Sequence, residues 1–324
     1  MASSTLRTFG PTNIDSLLAT TKEVFAKAGP QLNDAVFGHI PLLDRLNKKT
    51  KTTKQGGASI LVNLMYAKNN TFKAYAGDDI LDTTGQEGIT TAQFKWKNYG
   101  GTVKYDGDEV RMNMGQGKLL DLVNAKVEQA MMSAADTLAQ DIHATSQTAN
   151  KVSALPILVD ATSSVADINS TTYSWWQAQV TASGSFAARG LADLRDLRDD
   201  ILRQGQSSLG GPDIIVTTQA IAEYYEASLE PQIRYRSRER ADASFSGLDF
   251  SGAEVVFDTN CQSGVAFMLP LNALEFVCHS DAQWTLGNFI EPSNQDVRIA
   301  KVLWMGNLIT NNRRRLGKLT GITA

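Results

Sequence analysis

Asn294-Gln295-Asp296-Val297-Arg298-Ile299-Ala300-Lys301-Val302-Leu303-Trp304-Met305-Gly306-Asn307-Leu308-Ile309-Thr310-Asn311-Asn312-Arg313-Arg314-Arg315 is the stretch on which the fold turns. It reads as one long strand-like run, rich in β-branched residues, that closes on a basic cluster. Upstream of it lie Val255–Phe257, Val265–Leu269 and Leu274–Val277, short apolar strands separated by turn residues. Ile214–Thr217, behind the turn Gly210-Gly211-Pro212, is a strand of the buried type, and Thr218 is placed to cap a helix from Gln219 to Leu229. Leu191, Leu194, Leu197 and Ile201 mark another helix that stops at Gly205, where glycine takes a left-handed cap most easily. The second half of the chain is therefore mixed α/β.

The first half holds the longest helix. Leu120, Val123, Val127, Met131, Ala134, Leu138 and Ile142 follow one another at spacings of 3, 4, 4, 3, 4 and 4, the stripe of an amphipathic helix. From near Gly117 to near Ala149 it would be about 45 Å long at 1.5 Å per residue. Ahead of it, a strand-like run from Ala58 to Ala67 and a second from Phe94 to Tyr105 are joined by turn-prone residues, Gly77-Asp78-Asp79, Gly85 and Gly88. The two runs make an extended hairpin with a long polar connection, and such connections are functional or disordered. The first 50 residues combine a short amphipathic helix, Ile14 to Ala28, with breakers at Gly29-Pro30 and Pro41, and read as an arm that packs on something else.

Bulk properties exclude several functions. The chain has 324 residues, above the usual size of one core, with 31 Lys plus Arg against 34 Asp plus Glu and a net charge of −3. A near-balanced chain has no overall pull toward nucleic acid, so any such contact is local. Cys261 and Cys278 are the only cysteines and read as free buried thiols of a reducing compartment. No signal peptide is legible at the N-terminus, and no apolar run approaches the roughly 18 residues a bilayer requires.

Enzyme chemistry finds no footing. His39, His143 and His279 are far apart, the two cysteines form no CxxC, and no metal site is expected. Gly115-Gln116-Gly117-Lys118 lacks the spacing of a phosphate loop, and Leu119 stands where Ser or Thr would hold magnesium. Asp106-Gly107-Asp108-Glu109 lacks the further ligands of a calcium loop and reads as a solvated turn. Trp175-Trp176 and Trp304 read as packing aromatics. Two arginine groups remain. Arg234, Arg236, Arg238 and Arg240 alternate with Tyr235 and Glu239, which suits an intersubunit or surface ion-pair role better than phosphate binding. For Arg313, Arg314 and Arg315 a contact within a protein lattice and a contact with packaged DNA both stand, the lattice contact being preferred.

The run from Asn294 to Arg315 resembles the C-terminal signature of tailed-bacteriophage major capsid proteins. The resemblance extends through Pro212-Asp213-Ile214-Ile215-Val216-Thr217-Thr218-Gln219-Ala220, Leu229-Glu230-Pro231-Gln232 and Ala253-Glu254-Val255-Val256-Phe257-Asp258-Thr259-Asn260-Cys261. It also takes in Ile168-Asn169-Ser170-Thr171-Thr172-Tyr173-Ser174-Trp175-Trp176. It implies an α+β protein with the Hong Kong 97-type capsid fold. Residues 1–50 would be the N-terminal arm, 51–107 the extension loop (E-loop, a long β-hairpin) and 108–184 the peripheral domain with its spine helix. Residues 185–285 would be the axial α/β domain, and 286–324 the return to the peripheral domain with the C-terminal tail.

The function implied is that of a coat protein forming the pentamers and hexamers of an icosahedral head, with no catalysis, cofactor or metal and no membrane partner. Implied partners are further copies of the chain, a portal, a decoration protein and packaged double-stranded DNA held non-specifically. With about 50 residues ahead of the hairpin, a separate scaffolding protein is expected. The implied location is the virion, after assembly in the host bacterial cytoplasm. Candidate subunit-interface residues are Lys68, Lys73, Asp78, Asp79 and Glu87 of the hairpin, Arg234, Arg236, Arg238 and Arg240, and Arg313, Arg314 and Arg315. Covalent cross-linking through the hairpin lysines is left open. The alternative container is an encapsulin-like nanocompartment shell.

Overall fold

A computed structural model describes residues 41–112, 116–204, 210–233 and 248–324. The expected arm helix Ile14–Ala28, His39, Gly205 and the Arg234–Arg240 group lie outside the described residues. The chain divides into two compact units.

Over the described residues, the first unit comprises Tyr99–Leu138 and Asp281–Trp304. Most of the spine helix, Gln116–Ile142, belongs to it. Val123, Val127, Met131 and Leu138 of the stripe are buried, as the spacing requires, whereas Gln129, Ser133 and Thr137 between them are exposed. The helix ends at Ile142, shorter than the sequence suggests, at 27 residues and about 40 Å. The residues expected to continue it include Thr145, Ser146 and Thr148, whose hydroxyls compete with helical hydrogen bonds. Gln147 draws this segment into a loop: its amide donates to the carbonyls of Thr148, Lys151 and Val152, and its Oε1 accepts from Ala154 N–H at 3.0 Å.

The strand Lys97–Asp106, in this unit from Tyr99 on, pairs with the strand Val297–Thr310, in this unit as far as Trp304, and Thr285–Leu286 lies antiparallel to Val302–Leu303. Trp304 is buried between Tyr99, edge-on at 5.5 Å, and Trp284, stacked at 5.9 Å. The acidic turn after Asp106 becomes a short helix, Gly107–Met112, held by protein cations: Glu109 pairs with Lys126, and Arg111 with Asp108 and Asp296. Gly107 is required there, because a Cβ would collide with the Asp296 carboxylate while its N–H donates to the Asp296 carbonyl at 2.8 Å.

The second unit comprises Pro41–Asn98, Ala139–Ser280 and Met305–Ala324. Its centre is a six-stranded sheet in the order Gln179–Ala182, Gly317–Thr320, Val265–Leu269, Ile214–Thr217, Ala253–Phe257, Leu248–Phe250. Ile214–Thr217 is buried along its whole length, as its unbroken apolar run demands of a strand covered on both faces. The helices Leu191–Gln204 and Gln219–Ile233 supply Leu194, Leu197, Ile201, Ile221 and Tyr225 to a core shared with Ile215, Met268 and Leu319. Gly317 leaves room for one of them, since a Cβ would meet Ile201 Cδ1 at 2.7 Å. Nearby, Lys51–Lys54 runs parallel to Leu274–His279, which pairs antiparallel with the Gly306–Thr310 end of the long strand.

The hairpin is shorter and differently paired than the sequence suggests. Ile60–Met65 pairs with Ile89–Phe94, Ile60 opposite Phe94 and Met65 opposite Ile89. The aromatic run expected as its partner, Phe94 to Tyr105, instead supplies the separate strand Lys97–Asp106. Ile89-Thr90-Thr91-Ala92-Gln93 has a single large apolar residue, so its period was hidden beside the aromatic run that follows. Asn307, buried in the long strand, fixes the hairpin's foot: its Nδ2 donates to Lys95 O at 2.9 Å and its Oδ1 accepts from Ser153 N–H and Oγ.

Candidate assembly interface

The segment between the hairpin strands has little core of its own. Short side-chain turns shape it: Asn69 Oδ1 accepts from Thr71 N–H and Oγ1, Asp79 Oδ2 from Ala76 N–H, and Asp82 Oδ1 from Thr84 N–H and Oγ1. Polar turn residues fold this way because their side chains replace the missing backbone ladder. Apolar residues nevertheless crowd the segment. Of fourteen large hydrophobics exposed among the described residues, eight fall between Leu61 and Ile89, with Phe72 94% and Ile80 90% exposed. Lone exposed apolar residues are ordinary, but so dense a group is an apolar surface that the other described residues leave open.

The sequence-predicted residues separate into three groups. Lys68, Lys73, Asp78, Asp79 and Glu87 are all exposed on this segment, beside Phe72, Tyr75 and Ile80. Arg234, Arg236, Arg238 and Arg240 lie outside the described residues. The third group requires a correction.

Arg313 and Arg315 belong to the subunit interior, not to a basic surface; they are 0% and 1% exposed. A single 3₁₀ turn, Arg313–Arg315, turns both inward and leaves Arg314 partly exposed. Arg313 Nε donates to Leu158 O at 2.7 Å; Nη1 donates to the carbonyls of Ser163 and Trp176 and to Ser170 Oγ; Nη2 donates to Ile157 O and Asp160 O, both at 2.8 Å. Burial lowers the Arg313 guanidinium to about 10, against the pull of Asp160. Arg315 donates to Asn272 Oδ1 and Gly210 O, each at 2.8 Å.

Lys318 completes the arrangement by pairing with Asp160 at 3.1 Å. Burial acts to raise the Asp160 carboxyl, but hydrogen bonds from Ser163, Lys318 and Thr162 outweigh it and hold the group well below the usual carboxylate range. The acceptors of Arg313 are mostly backbone carbonyls some 150 residues upstream, and carbonyls carry no side-chain signature. Nothing in the local sequence could have distinguished this buried cation from a surface one.

Among the described residues, His143, Asp258 and Cys261 come together in the interior. His143 Nε2 stands 3.5 Å from Asp258 Oδ2, and Cys261 lies beyond Asp258. Burial, with Asp258 beside it, pushes the Cys261 thiol up to about 12, the opposite of an activated nucleophile. Both cysteines are buried, and neither is in a disulfide. Trp176 and Trp304 pack in the interior, and Trp176 Nε1 donates to Val165 O at 3.1 Å. Among the described residues no group of three or more His, Cys, Asp or Glu is placed to hold a metal ion, and no helix is long and apolar enough to cross a membrane.

No protein-family model matches the sequence, and no curated protein matches it. Solved structures do. A chain of the cyanophage A-1(L) capsid asymmetric unit superposes with a TM-score of 0.63 at 14% identity, covering 88% of this chain and 93% of that one. A chain of the capsid of Myoviridae phage XM1 gives 0.56 at 11% identity over 85% and 92%. A capsid chain of the native GTA particle gives 0.56 at 9% identity over 89% and 90%. The chain has the α+β Hong Kong 97-type capsid fold.

Proposed function

We propose that this chain is the major capsid protein of a tailed double-stranded DNA bacteriophage, a non-catalytic subunit that assembles with its own copies into the pentamers and hexamers of an icosahedral head. The observation that carries the reading is a capsid fold bearing an exposed apolar segment, Leu61 to Ile89, that the described residues of its own subunit leave uncovered. Specific contacts between copies bury about 1,200 to 2,000 Å² each, and repeating them around closed rings holds a shell although each is modest. Lys68, Lys73, Asp78, Asp79 and Glu87 form the polar part of that contact. The net charge of −3 suits a container, because a strongly basic lining would hold the genome through counterion release and resist its exit. The same reading implies a scaffolding protein, a portal, a place in the virion and assembly in the host cytoplasm.

Electron microscopy and sedimentation of the purified full chain, alone and with its scaffolding protein, test the proposal. Rings or spherical shells are the expected result, and a strict monomer under every condition would overturn it. Shells that enclose a cargo protein and exclude nucleic acid during infection would transfer the chain to the encapsulin-like class.

Deleting Asp78 to Glu87 and joining Gly77 to Gly88 should leave the subunit folded and abolish assembly. The removed residues are exposed and their side chains bond only within the loop itself, so the thermal midpoint should move by no more than about 3 °C. Circular dichroism and microscopy of the same variant check both halves, and loss of the folded monomer would show the segment to be an internal element.

A further inference from the structure

Beside the loop-side end of the hairpin strand Ile60–Met65 the second unit holds an open cavity of about 410 Å³ whose lining includes no Asp or Glu. Tyr66 and Trp175, stacked at 5.3 Å, form one wall, and the other lining residues include Gln204, Asn312, Arg314 and the bonded Arg315. Arg314 is the arginine of its cluster that is not buried, and among the described residues its guanidinium meets no carboxylate and no hydrogen-bond acceptor. The side chains of Asn312 and Gln204 are likewise without hydrogen-bond partners among the described residues. A planar guanidinium and neighbouring amides gathered against an aromatic wall form a seat for a carboxylate.

The same chain carries a matching group. Residues 74–88 contain Asp78, Asp79, Asp82 and Glu87 and no Lys or Arg. Asp79 and Asp82 each use one oxygen in local turns, whereas the carboxylates of Asp78 and Glu87 have no partner among the described residues. None of the four lines the cavity of its own subunit. We infer that the Arg314 cavity of one copy receives the acidic hairpin tip, Asp78-Asp79, of a second copy. Such a contact joins two different patches, so it is heterologous and closes into rings when the rotation allows. A nucleic-acid phosphate is the weaker occupant: a duplex carries one charge per about 1.7 Å of axis and needs a row of cations, while among the described residues this seat offers one unpaired guanidinium, Arg315 being bonded to Asn272 and Gly210. The inference rests on the assembly reading above and specifies its contact.

A charge-swap cycle on the full chain tests it. Arg314→Glu should lower shell yield by about tenfold or more while thermal unfolding stays near that of the parent. Asp78→Arg with Asp79→Arg should do the same, and the combined chain should regain most of the parent yield. Arg314→Gln serves if the glutamate variant fails to fold, and should lower yield in a folded subunit. Parent yield from a folded Arg314 variant, or loss without recovery in the combined chain, overturns the pairing but leaves the assembly reading intact. Misfolding of both Arg314 variants assigns the residue to the subunit's own structure and also overturns it. Normal empty shells that package less DNA would give the seat to nucleic acid. A parent chain that never assembles overturns the assembly reading and this pairing with it.

Discussion

Arg313→Met should lower the unfolding free energy of the subunit by about 3–5 kcal/mol, the largest loss expected from a single substitution outside the apolar cores. The side chain's size is kept but every donor is lost. Carbonyls of Ile157, Leu158, Asp160, Ser163 and Trp176 then face a thioether, and each buried acceptor left without a partner costs about 1–3 kcal/mol before relaxation or water entry recovers part of it. Arg313→Lys should recover only a fraction, because an ammonium offers three donors from one point where the guanidinium spreads five across a plane. Urea denaturation of the three proteins gives the order parent, lysine, methionine. A methionine variant within about 1 kcal/mol of the parent would mean that water or a local shift satisfies those carbonyls as well.

Val127→Asp should cost a comparable amount, about 3–5 kcal/mol, by a different route. Val127 is 0% exposed on the spine helix, and an aspartate there must ionise without a partner or remain protonated at the expense of its ordinary pKa. Gln129→Asp, two residues along on the exposed face, is the control and should change stability by less than about 1 kcal/mol. Equal midpoints for the two variants would show that the apolar stripe does not face the core. Because both wild-type residues lie inside the subunit's own spine helix, the monomer's unfolding reports the effect whether or not shells form.

Elements whose burial is dictated by their own residues were legible. Ile214–Thr217 and Val265–Leu269 occupy the bounds their apolar runs suggest, and the stripe from Val123 to Ile142 lies on a helix. Elements defined by distant partners were not. Ile89–Phe94 becomes a strand because Ile60–Met65 lies beside it, and its own sequence barely distinguishes it from a loop. For the candidate interface, the exposure of the hairpin's charged residues followed from polar, glycine-rich composition, whereas the direction of each arginine in Arg313–Arg315 did not. A charged side chain reads as surface by default, and what reversed this was a set of carbonyl oxygens invisible to any side-chain pattern.

The placement of Gly317–Thr320 bears on how the protein is made. This strand is interior, hydrogen-bonded to Gln179–Ala182 on one side and to Val265–Leu269 on the other, yet it is translated long after both. Until Gly317–Thr320 has been made, the sheet therefore stands open at its middle, with two unpaired edges waiting for the same segment. Closure of the sheet, and with it the anchoring of Arg313, waits on this one segment. A chain cut before Gly317 lacks the finished sheet, so completing the fold separates subunits that contain this segment from fragments that do not.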